Sequence, residues 1–140
     1  MYTYLSEKQW ITSNGLHGLV IMANNSRESF RCGYVGVPKE HKLYGLDYSE
    51  DISIEKEPHG GITFSGQLDK ALVGDIDLWY IGFDCHSYKD TLEICTLYFC
   101  INECEKLALQ LKELDPIAYS CGMSDYYNYV CDEYYCEDME

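Results

Sequence analysis

The residues best able to do chemistry lie in one short segment, residues 84–90, which reads DCHSYKD. His86 can serve as a base or a metal ligand, and Asp84 or Asp90 can orient it or share the metal. Cys85 suggests a nucleophile beside His86. However, neighbours in an extended chain point to opposite faces, which disfavours proton exchange between them. The structural alternative is that Asp84 anchors the loop by accepting hydrogen bonds from backbone N–H groups.

A second candidate is the turn at residues 59–61, which reads HGG. Adjacent glycines permit positive φ or a close approach of a ligand to the backbone. The turn does not belong to a phosphate-binding loop of either common glycine-rich pattern. If it meets residues 84–90 at one rim of a sheet, His59 and His86 with Asp84 or Asp90 would form a two-histidine, one-carboxylate metal site. A tight structural turn is the alternative.

The same region suggests a site for a small anionic ligand, such as a nucleotide that acts as an immune signal. Arg31 would supply the cation. The other ligand-binding candidates are His59, Gly60, Gly61, Asp84, His86 and Asp90. Lys39, His41 and Lys42 form a small basic patch in a predicted loop, for which an ordinary solvated loop is the alternative.

The eight cysteines do not follow a familiar metal-binding pattern. The N-terminus lacks the basic end and apolar run of a secretory signal, so we expect the cytosol, where thiols stay reduced. No C-x-x-C pair occurs, and the spacing gives little support for a zinc-finger type of site. Cys100 and Cys104 are interpreted as small buried hydrophobes on one side of a helix. No cofactor is predicted, and the question of a metal stays open.

The charge of the chain is strongly negative, with 24 acidic against 10 basic residues and a net charge of −14. This charge argues against direct binding to nucleic acid and against an anionic membrane surface. Half of it lies in residues 115–140, which hold seven acids, no Lys or Arg and six tyrosines. Tyrosine favours interfaces, so the predicted partner-binding residues are Asp125, Tyr126, Tyr127, Asp132, Glu133, Tyr134 and Tyr135. A solubilising surface with some core tyrosines is the alternative.

The elements that must position these residues are mostly strands. Turn signals and β-branched or aromatic runs predict strands over residues 16–23, 30–37, 62–65 and 78–84, with a short edge strand at residues 52–54. Residues 6–10 are interpreted as a helical turn or an arm, and residues 67–77 as a loop.

One long helix follows the last strand, because apolar residues recur there at intervals of three and four. Its predicted buried face consists of Ile94, Leu97, Ile101, Cys104, Ala108 and Leu111. Pro116 ends it. We therefore predict an α+β domain over residues 1–114, in which a small, mostly antiparallel sheet of four to five strands is packed by one long helix. An acidic, Tyr-rich C-terminal segment follows over residues 115–140.

The order of segments resembles a family of small, uncharacterised proteins of bacteriophages and prophages. The matching stretches are RCGYVGVP at residues 31–38, His41 with LYGLDY at residues 43–48, HGGITFSG at residues 59–66, WYIGFDCH at residues 79–86 with Asp90, and EC with LA and QL at residues 103–111. The resemblance implies a phage origin and an accessory, non-structural gene product. The Tyr-rich tail is not part of the family pattern.

The leading hypothesis is therefore a non-enzymatic phage protein that binds and inhibits a host factor in the host cytoplasm. The expected partner is a host protein with a basic surface, for example a nucleic-acid-handling defence complex such as a CRISPR effector, whose groove the acidic surface would occupy. Two alternatives stay open. One is the binder of a small anionic or nucleotide signal, and the other is a metal-dependent hydrolase that uses His59, Asp84 and His86.

Overall fold

The computed structural model describes residues 1–114, and these form one antiparallel sheet with helices on its two faces. The elements are β1 (Thr3–Ile11), β2 (His17–Asn24), β3 (Ser29–Val37), β4 (Phe64–Gly66), α1 (Lys70–Val73), β5 (Trp79–Asp84) and α2 (Leu97–Leu114). The strand order in the sheet is β1-β2-β3-β5-β4, and every neighbouring pair is antiparallel. The prediction of an α+β fold, with one long helix on a small antiparallel sheet, is confirmed. The predicted C-terminal segment, residues 115–140, lies outside the described residues.

The central strands are where the sequence predicts them. The turn before β2 contains Gly15, whose φ of 96° is a conformation that glycine adopts without strain. The next turn is closed by Asn25, whose side-chain oxygen accepts hydrogen bonds from the backbone N–H groups of Arg27 and Glu28. Two tight hairpins therefore set the register of β1, β2 and β3.

The edges of the sheet differ from the prediction. Residues 6–10, interpreted as a helical turn or an arm, belong to the nine-residue strand β1, which pairs with β2. Its register shifts between Ser6 and Lys8, so Glu7 is the extra residue of a β-bulge. Residues 52–54, predicted as an edge strand, form no strand, and the predicted loop at residues 67–77 contains the short helix α1.

The helix α2 covers one face of the sheet. Its buried residues are Cys100, Cys104, Leu107, Ala108 and Leu111. Of the predicted face, Cys104, Ala108 and Leu111 are buried, and Leu97 and Ile101 are partly buried against the core. Ile94 lies before the helix and is 55% exposed. The helix begins at Leu97 because the hydroxyl of Thr96 accepts a hydrogen bond from the Phe99 N–H and caps the first turn.

The opposite face of the sheet is covered by the segment that contains α1. Its core residues are Leu19, Ile21, Cys32, Tyr34, Val73, Leu78 and Tyr80. His17 is fully buried next to this cluster, with its Nδ1 atom 2.6 Å from the Tyr80 hydroxyl. Because both faces are covered, functional side chains are displayed at the ends of strands and in the long connection between β3 and β4.

This long connection, residues 38–63, carries His59 and is fixed to the end of α2. The Nε2 atom of His41 donates to the Leu111 carbonyl at 2.9 Å, and its Nδ1 atom accepts from the Leu43 N–H at 3.0 Å. The expectation of a basic surface patch that includes His41 is therefore wrong, because this side chain is only 2% exposed. Within residues 1–114, no helix has the length and apolar character needed to cross a membrane.

Candidate functional site

The turn at residues 58–61 lies against the end of β5, so this turn and residues 84–90 share one rim of the sheet. The Gly61 N–H donates to the Pro58 carbonyl at 2.8 Å, and Gly60 and Gly61 have φ values of 73° and 85°. A Cβ atom on Gly60 would lie 3.6 Å from the Asp84 carbonyl oxygen. The two glycines therefore let the turn fold tightly against the strand end.

His59 and Asp90 form an ion-pair geometry at this rim. The His59 Nε2 atom lies 2.8 Å from Asp90 Oδ1, and the Ser87 N–H donates to Asp90 Oδ2 at 3.0 Å. Burial raises the pKa of the Asp90 carboxyl, but hydrogen bonds from His59 and Ser87 outweigh it and hold the pKa below its ordinary value. The imidazole also packs edge-on against Phe99, and the His59 N–H donates to Glu103 on α2.

Arg31 lies close by but is already engaged by an acidic side chain. Its Nε atom donates to Glu7 Oε1 at 2.7 Å, and its Nη1 atom donates to the Cys95 carbonyl at 3.0 Å. The bulge in β1 places Glu7 at this position. Arg31 therefore ties β1 and β3 to the segment before α2, and an anionic ligand would have to compete with Glu7 for it.

His86 faces a different set of partners. Its ring stacks on Phe30 with centroids 3.9 Å apart, and its Nε2 atom lies 2.9 Å from Glu28 Oε2. Glu28 also accepts a hydrogen bond from the Tyr2 hydroxyl. Both hydrogen bonds lower the pKa of the Glu28 carboxyl, and the one from Tyr2 has the larger effect. The exposed imidazole thus belongs to an aromatic and acidic cluster at the β2–β3 turn.

The predicted metal set of His59, Asp84 and His86 is not assembled. Asp84 accepts a hydrogen bond from the His86 N–H at 3.2 Å, which is the loop-anchoring role considered as its structural alternative. Within residues 1–114, the group whose donor atoms all lie within 4.8 Å of one another contains His59 but neither Asp84 nor His86. His59 and Asp90 are brought together, whereas His86 is held elsewhere by Phe30 and Glu28.

A small cavity lies between these two clusters. Its volume is about 160 Å³, and its lining includes Arg31, His86, Ser87, Asp90 and Thr91. Pockets that enclose drug-sized ligands usually measure about 300–1,000 Å³. The cavity therefore has room for a small anion but does not enclose a nucleotide.

Three buried thiols lie directly behind His59. Cys95 Sγ lies 3.8 Å from His59 Nε2, and Cys85 Sγ lies 3.8 Å from Cys100 Sγ. The pKa of the Cys85 thiol is raised, mainly by its hydrogen bond with Cys100 and to a smaller extent by burial. Burial also raises the pKa of the Cys95 thiol. The hydrogen bond from Cys85 has the opposite effect on Cys100 and lowers its pKa, with help from the charge of Arg31. Sequence spacing gave no signal for this grouping, because the three cysteines come from the end of β5, the following turn and α2.

A second surface feature is an acidic groove between residues 55–58 and α2. Its volume is about 520 Å³. Four carboxylates line it, those of Glu55, Glu57, Glu103 and Glu113, against two ammonium groups, those of Lys56 and Lys106. The exposed side chain of Leu109 lies in the same groove. We call this feature the acidic groove.

The predicted partner-binding residues lie outside the described residues. They are Asp125, Tyr126, Tyr127, Asp132, Glu133, Tyr134 and Tyr135. The chain reaches them from Leu114, the last residue of α2, which lines a smaller cavity together with Glu55 and Glu113 of the acidic groove.

Comparison of the chain with protein-family models, with curated proteins and with solved structures gave no match. The functional argument therefore depends on the residues and their geometry.

Proposed function

We propose that this protein is a phage accessory protein that acts by binding in the host cytoplasm. Its acidic surface would occupy the basic, nucleic-acid-binding groove of a host defence protein and so inhibit it. One observation carries the proposal: the acidic C-terminal sequence continues directly from the end of α2, where the acidic groove lies. The phage origin comes from the family resemblance of residues 31–113.

The acidic groove has a charge arrangement that suits a basic protein partner. Glu103 and Glu113 are ten residues apart on α2, which places them about 15 Å apart along the helix axis. Glu55 and Glu57 face them from the neighbouring loop. Glu103 is only 14% exposed and pairs with Lys106 at 3.5 Å, so the attraction comes mainly from Glu55, Glu57 and Glu113. An excess of carboxylates attracts a surface built to hold phosphates, and the attraction accelerates association at low salt.

Apolar surface in the same place supports a protein partner. Leu109 is 54% exposed within the groove, and six tyrosines are interspersed with the seven acids of residues 115–140. Tyrosine is enriched at protein interfaces because its ring buries area while its hydroxyl keeps a hydrogen bond. Charge would bring the partner to this surface, and apolar contact would hold it there.

The two alternative functions have less support. For the binder of a nucleotide signal, the cavity near Arg31 is too small to enclose the ligand, and the guanidinium is paired with Glu7. For the metal-dependent hydrolase, the donor atoms of Asp84 and His86 are not grouped with that of His59.

The experiment compares three triple variants that each remove three negative charges. The groove variant is Glu55→Gln, Glu57→Gln and Glu113→Gln, in which the amides keep the acceptor oxygens. The tail variant is Asp125→Asn, Asp132→Asn and Glu133→Gln. The matched control is Glu40→Gln, Asp75→Asn and Glu93→Gln, which neutralises exposed carboxylates outside the acidic groove.

Two measurements are made on each protein. The first is displacement of labelled DNA from a purified CRISPR effector, and the second is salt-dependent capture of proteins from host lysate. We expect the groove and tail variants to lose at least tenfold in affinity for the captured partner and the control to lose little. Capture should weaken as salt rises. Equal capture by all three variants, or capture that does not change with salt, would contradict the proposal.

A further inference from the structure

The thiols behind His59 form a compact donor set. The donor atoms of His59, Cys85 and Cys95 all lie within 4.8 Å of one another. Cys85 and Cys95 are 3% and 1% exposed, and the His59 side chain is 27% exposed. Two sulfurs and one imidazole nitrogen therefore converge on one point at the edge of the core, with access from the side of the histidine.

The spacing of these atoms matches the dimensions of a zinc site. Zn–S bonds of about 2.3 Å and Zn–N bonds of about 2.0–2.1 Å, in tetrahedral geometry, imply S···S separations near 3.8 Å and S···N separations near 3.6 Å. The observed distance from Cys95 Sγ to His59 Nε2 is 3.8 Å, and that from Cys85 Sγ to Cys100 Sγ is also 3.8 Å. These two pairs therefore already have nearly the spacing that the metal requires, and the remaining pairs of the three-donor set lie within 4.8 Å.

We propose that His59, Cys85 and Cys95 bind a zinc ion, and that Cys100 completes a Cys₃His tetrahedral site. Cys100 Sγ lies 3.8 Å from Cys85 Sγ but is not among the donor atoms that all lie within 4.8 Å of one another, so its side chain would have to move to join the site. Thiolate and imidazole ligands select zinc over hard cations such as magnesium. Each cysteine releases its thiol proton to solvent when the metal binds.

The surrounding contacts position the imidazole for this role. The ring packs against Phe99, and the His59 backbone is fixed by Glu103 on α2. Metal binding at Nε2 would replace its hydrogen bond to Asp90. The ion would join the turn at residues 58–61, the end of β5 and the start of α2. It would therefore act as a structural cross-link, independently of the proposed binding function.

The test uses the full chain under reducing conditions, with Zn²⁺ and Co²⁺ as probes and Mg²⁺ as the hard-cation control. We expect one Zn²⁺ per chain and a rise in melting temperature with Zn²⁺ but not with Mg²⁺. We also expect a Co²⁺ spectrum with thiolate charge-transfer bands and the intense visible bands of tetrahedral geometry. The intensity of the charge-transfer bands should correspond to three thiolates.

Variants separate this site from the other thiols of the chain. Replacing Cys121, Cys131 and Cys136 by Ser removes the thiols outside the described residues and should leave binding intact. In that background Cys95→Ser should weaken Zn²⁺ binding by more than about 100-fold, since even the loss of an outer-shell partner costs 10–100-fold. Cys32→Ser is the matched control, because Cys32 is a buried thiol on the opposite face of the sheet.

His59→Gln is the variant least expected to disturb folding, since its side chain is partly exposed. It should keep the circular dichroism spectrum of the parent, and it should weaken Zn²⁺ binding by about as much as Cys95→Ser does. Absence of stoichiometric Zn²⁺ from folded protein would overturn the proposal. So would a Cys85–Cys100 disulfide that persists under the reducing conditions of the test, or equal loss of binding in the Cys32→Ser control. A charge-transfer intensity of only two thiolates would overturn the assignment of Cys100.

Discussion

Buried His17 should make the stability of this protein sensitive to mild acid. Burial lowers its pKa from 6.5 to about 4. In the unfolded chain the imidazole is solvated and protonates near pH 6.5. Because the unfolded state binds the proton more readily, the free energy of unfolding must fall as the pH drops from 6.5 toward 4. Below pH 4 both states are protonated and the contribution of His17 levels off.

The magnitude follows from the two pKa values. Between pH 7 and pH 5 the linkage relation gives a loss of about 2 kcal/mol from this single residue. The side chain has no solvent exposure, so screening by water does not reduce this figure. A loss of this size is a large fraction of the roughly 5–15 kcal/mol that stabilises a typical domain.

The assay is urea unfolding of the parent and of His17→Gln at pH 7, 6 and 5. The variant also loses the contact with Tyr80 and should be less stable at pH 7, so the informative quantity is the slope with pH. We expect the parent to lose about 2 kcal/mol more than the variant over this range. Tyr80→Phe is the control, because it removes the same contact but keeps the buried His17 imidazole, and its slope should equal that of the parent. Parallel curves for the parent and His17→Gln would refute the reasoning.

Three further predictions concern packing and hydrogen bonds. Gly33→Ala should lower the free energy of unfolding by about 1–3 kcal/mol in chemical denaturation, because its Cβ atom would lie 2.5 Å from the Phe83 ring. Glu105→Ala should lower the free energy of unfolding by about 2 kcal/mol, because its carboxylate accepts hydrogen bonds from the Trp10 indole and from the Ser13 N–H and hydroxyl. The matched control is Glu113→Ala, which removes an exposed carboxylate and should lower the free energy of unfolding by less than about 0.5 kcal/mol in the same assay. His41→Ala should loosen residues 38–44 against α2 and raise their hydrogen exchange rates while those of β2 stay unchanged.

The sequence predicts the interior of the fold better than its edges. The strands β2 and β3 contain the apolar and aromatic runs 19–23 and 32–37 because both of their faces are covered. The edge strand β1 has no such apolar run, and its residues Tyr4 and Leu5 are exposed. Its extended conformation depends on backbone pairing with β2, which its own sequence does not indicate. The alternation of Ile52 and Ile54 does not mark a strand. Both side chains pack against the hydrophobic core that α2 covers, and residues 52–54 pair with no strand of the described chain.

The candidate site could be predicted only in part for a similar reason. The turn at residues 59–61 and the segment at residues 84–90 each carry a local signal of glycine, histidine and acid, and the structure brings His59 to Asp90. The direction of the His86 ring depends on Phe30, which is distant in sequence. The grouping of Cys85 with Cys95 depends on the chain path between β5 and α2, which has no spacing signature.

The bulge at Glu7 also interrupts the edge of the sheet at which another strand could pair. Within residues 1–114 the strand β1 has no neighbour on its outer side, and its exposed residues Tyr4 and Leu5 are attractive to another strand. The extra residue divides this edge into two regular stretches, residues 3–6 and 8–11. Fibre-forming segments need about six or seven uninterrupted residues, and neither stretch is that long. The same residue that holds Arg31 therefore shortens the regular edge that another strand could extend.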